Sequence, residues 1–189
     1  VLLHPRLLRM ALSGLGAALC DGNETGTLSD EERVALSSWV RASGVGVFVE
    51  IGTLFGFTAR SVKRDTCVRT IAVGNCPWDP FGLPPAQHEA FTRRILEGSE
   101  VELVKSDSVE FLSSFPGVTP GEALVFLDGS HAYEDVKREL QLCLDARVAV
   151  VAGHDYGNES FGVTKAVNEC LGNVDAVVGS CWMKRMFEC

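Results

Sequence analysis

No stretch of this 189-residue chain is basic enough to follow a phosphate backbone. Its 25 acidic residues outnumber 17 basic ones, for a net charge of −8. Such a surface repels phosphates, so no nucleic-acid partner is expected. The nearest approach to a basic patch, Arg60, Lys63, Arg64 and Arg69, reads as the solvated face of one helix. The seven cysteines (Cys20, Cys67, Cys76, Cys143, Cys170, Cys181 and Cys189) include no Cys-x-x-Cys pair and no zinc-like spacing. Their number is odd and most fall in apolar segments, the pattern of reduced core thiols in a cytoplasmic protein. Long hydrophobic runs are missing too. Arg6 and Arg9 interrupt the apolar residues near the N-terminus, and Gly14 and Gly16 break the segment after them. No secretory core or membrane span is expected. The Gly-x-Gly-x-x-Gly of dinucleotide binders is also absent, which makes a nicotinamide-dependent reductase the weakest class.

What remains is long enough for one domain with a sizeable core, and its 46% hydrophobic content suits a parallel sheet covered on both faces. Ser29 and Glu32 form a capping box, and Leu36, Trp39 and Val40 give the following helix an apolar face. Strands are expected at residues 45–51, 68–73, 101–105, 123–128 and 148–152, with helices between them. A Pro-rich loop (Pro77, Pro80, Pro84, Pro85) precedes the helix carrying Phe91, Ile95 and Leu96. A helix at 163–171 should end at Gly172. Runs 174–178 and 181–187, split by Gly179-Ser180, read as a hairpin. The pattern predicts an α/β fold of five strand–helix units closed by a C-terminal hairpin. Residues 1–43 form an N-terminal helical extension and 44–189 the main body of one globular unit.

Three clusters carry the chemistry. In the first, Glu50 ends a buried strand, and Gly52 and Gly56 bracket a turn before Thr58, Ala59 and Val62 open a helix. A strand breaking at glycine into a helix N-terminus admits a ligand to bare backbone N–H groups. In the second, Asp128-Gly129-Ser130-His131, a carboxylate sits where open α/β sheets bind ligands. Alternatively, Asp128 caps the next helix and His131 bonds locally at its start. In the third, Gly153-His154-Asp155-Tyr156 ends the next strand. Neighbouring strands lie ~4.8 Å apart, so pairing of these two strands would converge Asp128 and Asp155. Two carboxylates there repel unless a proton or cation intervenes. Oxygen donors point to Mg²⁺, while His131 and His154 leave a transition metal open.

The Glu50-Ile51-Gly52 turn resembles the first motif of class I S-adenosylmethionine-dependent methyltransferases. The order Val49-Glu50-Ile51-Gly52, Leu127-Asp128-Gly129-Ser130-His131-x-Tyr133, Gly153-His154-Asp155-Tyr156 and Gly162-Val163-x-x-Ala166-Val167 resembles one branch of them, the macrocin and mycinamicin sugar O-methyltransferases and a related cephalosporin-biosynthesis protein. The resemblance implies a Rossmann-like, doubly wound, mostly parallel seven-stranded sheet with an antiparallel C-terminal hairpin strand, and an S-adenosylmethionine site at Glu50, Gly52, Thr53, Gly56, Asn75, Asp107, Ser108 and Asp128. It implies Asp128, His154 and Asp155 around Mg²⁺, with His131 as general base acting on a small hydroxylated acceptor. A metal lowers the pKa of a hydroxyl, and imidazole takes the proton. Departures are visible. Cys76 stands where the family places its ribose-binding acid, with Asn75 before it; Ala146-Arg147 replaces a Gly-Gly; and His154 replaces an acid. Asp107 could equally cap the short helix of Val109, Phe111 and Leu112. Two other classes compete. A catalytically idle S-adenosylmethionine- or nucleotide-binding protein would be indifferent to His131, and a metal-dependent hydrolase using Asp128, His131, His154 and Asp155 would need no pocket at Gly52. Little of the chain is left to build a substrate lid, so a second copy in a homo-oligomer could supply that wall.

Overall fold

The computed structural model of the chain describes residues 28–75 and 84–186. Helix α1 (Asp30–Ser43) starts at the expected capping box: Ser29 accepts from the Glu32 amide, and Glu32 reaches back to the Ser29 N–H. It stops at Gly44 in the left-handed conformation. Then follow β1 (Val47–Ile51), α2 (Phe57–Thr66), β2 (Arg69–Val73), α3 (Pro85–Leu96), β3 (Val101–Val104), α4 (Ser108–Ser114), β4 (Ala123–Leu127), α5 (Tyr133–Asp145), β5 (Val150–Gly153), α6 (Val163–Leu171), β6 (Ala176–Val178) and β7 (Cys181–Arg185). Tyr133, Val136, Leu140 and Leu144 fall on α5 as read, and Gly172 ends α6.

The seven strands order as β3-β2-β1-β4-β5-β7-β6. Strands β1 to β5 are parallel, and β7 runs antiparallel to both β5 and β6. Alternation along the strands divides the core between two faces. Val47, Val49 and Ile51 pack with Phe111, Leu112, Val136, Leu140 and Val163, under α4, α5 and α6. Phe48, Phe126 and Ala152 pack with Leu36, Val40 and Val62, under α1 and α2. Ala72 and Ala59 meet Leu96 of α3 beside α2. Helix α1 therefore shares the core of the sheet. This is the Rossmann-like, doubly wound fold expected from the pattern together with the family resemblance, with both faces covered.

Several boundaries differ from the sequence reading. Arg69 opens β2, so only Arg60, Lys63 and Arg64 share α2. Strand β5 begins two residues later than expected and runs through Gly153. The first hairpin strand shrinks to Ala176–Val178, and the preceding Asp175 accepts from the Arg185 N–H with its carboxylate. Of the Pro-rich loop, Pro84 precedes α3 and Pro85 opens it, while residues 76–83 with Cys76, the N-terminal part of the extension and the end of the hairpin at Phe187 lie outside the described residues. Among the described residues, no helix is long and apolar enough to cross a membrane.

Candidate active site

Backbone hydrogen bonds bring the ends of the five parallel strands to one level. The Gly52 and Thr53 N–H groups donate to Val73 O, Asp128 N–H to Ile51 O (2.9 Å), His154 N–H to Leu127 O (3.1 Å), and Gly74 N–H to Val104 O. Strand β2 lies on one side of β1 and β4 on the other, so the chain reverses its winding between β1 and β4. That is the switch point at which open α/β sheets bind ligands. Gly52 has φ +93°, and a Cβ there would lie 2.3 Å from Gly129 Cα. Its smallness therefore serves the packing of the β4–α5 loop against the end of β1, whether or not a ligand also needs it.

Glu50 points to the α1/α2 side and is buried. Its carboxylate accepts from the Thr53 hydroxyl (2.6 Å) and from the Ala59 N–H (3.2 Å). Gly56, the residue preceding α2, has no side chain to cap the helix, so Glu50 does this from the neighbouring strand. Burial pushes its pKa up to about 7, against the lowering effect of those two bonds. Glu50 and Thr53 are thus brought together, with their polar atoms turned on each other.

Asp128 and Asp155 do converge, and His154 sits between them. His154 Nδ1 lies 3.7 Å from Asp128 Oδ1 and 3.5 Å from Asp155 Oδ2, and these three donors are close enough to share one ion. Asp155 adopts φ +61°, a left-handed backbone tolerated by Asp, with the following Tyr156 N–H bonded to Ser180 O. Its Oδ2 also lies 3.2 Å from His131 Nδ1. The His131 ring stacks on Phe161, centroids 4.4 Å apart. Asp128 does not cap α5: Ala132 occupies that position, and the Ser130 hydroxyl accepts from its N–H. Burial pushes the Asp128 pKa up to about 8; His154 opposes this, and the carboxylates of Glu50, Asp155 and Glu32 reinforce it. Burial works against a charge on His154, but its bond to Asp155 and the charges of Asp128, Asp155 and Glu32 outweigh it and hold the pKa at about 9.

The other expected contacts stand along the same edge without meeting this cluster. Asn75 is exposed two residues beyond β2, and Asp107 caps α4 by accepting from Val109 N–H at 2.9 Å. Ser108 bonds to Glu139, a buried acid of α5 whose pKa burial raises to about 7. Three participants escape the sequence reading. Glu32 reads only as a cap, yet its Oε1 lies 3.4 Å from His154 Nε2. Ser180 reads only as part of a turn, and nothing in the pattern singles out Phe161. Glu32, His154 and Cys181 form a second group of donors, but both Glu32 oxygens are already occupied by Ser29 and Ser180.

A family model described as a methyltransferase domain matches residues 49–156, more than half of the chain and all three motifs. The chain belongs to the methyltransferase-domain family. Solved structures resemble this methyltransferase across nearly its whole length. One is the O-methyltransferase TomG from Streptomyces achromogenes, involved in tomaymycin synthesis and solved with SAM (16% identity, 94% of this chain and 93% of that one, TM-score 0.62). Another is the O-methyltransferase from Bacillus cereus in complex with SAH (14%, 97% and 90%, 0.61). A third is the cofactor-bound Rv0187 from MTB (18%, 95% and 88%, 0.59). At such identities the likeness is one of fold. No curated protein matches the methyltransferase described here.

Proposed function

We propose that this methyltransferase uses S-adenosylmethionine to methylate a hydroxyl of a small acceptor, with His131 as general base. The carrying observation is the 3.2 Å contact between Asp155 Oδ2 and His131 Nδ1 at the carboxyl edge of the sheet. A carboxylate on Nδ1 fixes the proton there and leaves Nε2 to accept one. The Asp128-to-His131 and His154-to-Tyr156 motifs support the sugar O-methyltransferase branch. The negative charge of the whole chain favours a small acceptor over nucleic acid, and its unpaired cysteines favour a reducing cytoplasm.

The residues present suit a cationic cofactor. Glu50 and Asp128 are carboxylates whose pKa values burial has raised, so a positive ligand beside them restores their preference for ionisation. Asp128, with Asn75 and Asp107 along the edge, would hold the amino, ribose and adenine groups respectively. When bound, the sulfonium supplies the activated methyl group. The chain's own contribution is alignment of the acceptor and removal of its proton. Asp155 keeps the His131 ring turned, and Phe161 covers one of its faces.

A divalent ion also suits the site. Asp128 and Asp155 offer hard oxygen, and His154 Nδ1 adds a nitrogen that favours Mn²⁺ over Mg²⁺. Such an ion would supply Lewis acidity toward the acceptor hydroxyl. Calorimetry with S-adenosylhomocysteine, with and without Mg²⁺ or Mn²⁺, tests cofactor and ion separately. His131→Ala should lower turnover ~10²–10⁴-fold and leave S-adenosylhomocysteine affinity unchanged. Unaltered turnover on hydroxylated sugars or catechols would refute the base. Absence of S-adenosylhomocysteine binding would refute the cofactor, leaving the hydrolase reading of the same four residues.

A further inference from the structure

His154 is held from behind by residues of the first helix and the last hairpin, both outside the matched segment. Glu32 uses both oxygens. Oε2 accepts from the Ser29 N–H (2.9 Å) and hydroxyl (2.8 Å), and Oε1 from the Ser180 N–H (2.8 Å) and hydroxyl (3.0 Å). A serine hydroxyl has one proton. With that proton on Glu32, Ser180 Oγ can only accept from His154 Nε2, which lies 2.8 Å away. Nε2 is therefore the donor, and the Nδ1 edge is presented to Asp128 and Asp155. The β6–β7 turn is shaped for this arrangement: Gly179 has φ +61°, and a Cβ there would lie 2.5 Å from Glu32 Oε1.

We propose that Glu32 and Ser180 are positioning residues that orient His154 so that its Nδ1 completes a cation site with Asp128 and Asp155. The inference rests on the divalent-ion part of the proposed function. A ring nitrogen ligates well when the other N–H has a fixed acceptor, and losing such a partner typically costs 10–100-fold in metal affinity. Glu32 and Ser180 form a two-step acceptor, a hydroxyl backed by a buried carboxylate. One side chain thereby links the start of α1 to the centre of the site.

The test measures Mn²⁺ binding to the metal-free protein by electron paramagnetic resonance, with S-adenosylhomocysteine affinity measured in parallel. Ser180→Ala and Glu32→Gln should each weaken Mn²⁺ about 10–100-fold, while Ser180→Thr, which keeps the hydroxyl, should restore binding. Ser29→Ala is the control for a merely structural role. It removes the helix cap and should lower the melting temperature while leaving Mn²⁺ affinity alone. Parental affinity in Ser180→Ala overturns the proposal, and so does a loss in Ser29→Ala as large as that in Glu32→Gln. A parent that binds S-adenosylhomocysteine but no Mn²⁺ overturns it too, while the methyltransferase reading stands.

Discussion

At the scale of single residues, two buried glutamates behave in opposite ways because of what surrounds them. Glu32 has four donors around its carboxylate. Burial would raise its pKa, but the Ser180 and Ser29 bonds prevail and hold it at about 2, against an ordinary 4.5. Its depressed pKa contributes stability that is complete above 4.5 and disappears as pH falls toward 2, on the order of 3 kcal/mol. The stability gap between the parent and Glu32→Gln should therefore be widest near neutrality and close across that window in urea titrations. Among the described residues Glu50 has two donors, Thr53 and Ala59, and burial raises its pKa to about 7. Its ionisation costs stability increasingly from pH 4.5 to 7. Glutamine retains an acceptor for Thr53 and Ala59, so Glu50→Gln should stabilise the fold above pH 7 by as much as ~3 kcal/mol. The same change should weaken S-adenosylmethionine more than the uncharged thioether S-adenosylhomocysteine, since it removes a negative charge proposed to lie beside the cationic cofactor. A variant that is no more stable at pH 8 than the parent would mean that Glu50 is ionised without penalty.

At the scale of elements, two glycines with positive φ separate backbone strain from close approach. Gly44 ends α1 at φ +67°, and nothing lies within 4 Å of the place a Cβ would occupy. Gly44→Ala should cost only about 1 kcal/mol. Gly52 ends β1 at φ +93°, where a Cβ would strike the Asp128–Gly129 backbone at 2.3–2.4 Å. Gly52→Ala should cost clearly more, at least the ~1–3 kcal/mol of a forced backbone, as read by denaturant midpoints. Loss of cofactor binding in a Gly52 variant is therefore no clean report on the cofactor. Element identities were legible because they depend on local signals: the Ser29–Glu32 box, the β-branched run of β1, the short apolar run of β4, and Gly172 after α6. The convergence of Asp128 with Asp155 was legible too, since adjacent strand ends fix it. The Glu32–Ser180–His154 chain was not, because it joins residues 148 apart in sequence and no periodicity reports such a contact. The turning of Glu50 into α2 was equally hidden, since an acid at a strand end looks the same whether it faces a ligand or a helix terminus.

At the scale of the molecule, the carboxyl edge of the sheet concentrates Glu32, Glu50, Asp128 and Asp155 around His131 and His154 in a chain already at −8. Raised pKa values at Glu50 and Asp128 show that the folded protein works against this charge on its own. A ligand carrying positive charge relieves that opposition only in the folded state, so binding and stability are linked. S-adenosylmethionine at 100 times its dissociation constant should add ~2.7 kcal/mol. For a chain of this length that corresponds to roughly 5–10 °C in melting temperature. Asp128→Asn should reverse the pattern, with a higher melting temperature at pH 9 when free of ligand and a smaller gain when S-adenosylmethionine is added. The first change comes from removing a partly buried charge crowded by other carboxylates and the second from removing its counterpart to the cofactor, so scanning calorimetry of the two proteins with and without ligand separates them. An equal ligand-induced gain in both proteins would place the cofactor away from Asp128 and shift attention to the Asp107 end of the edge.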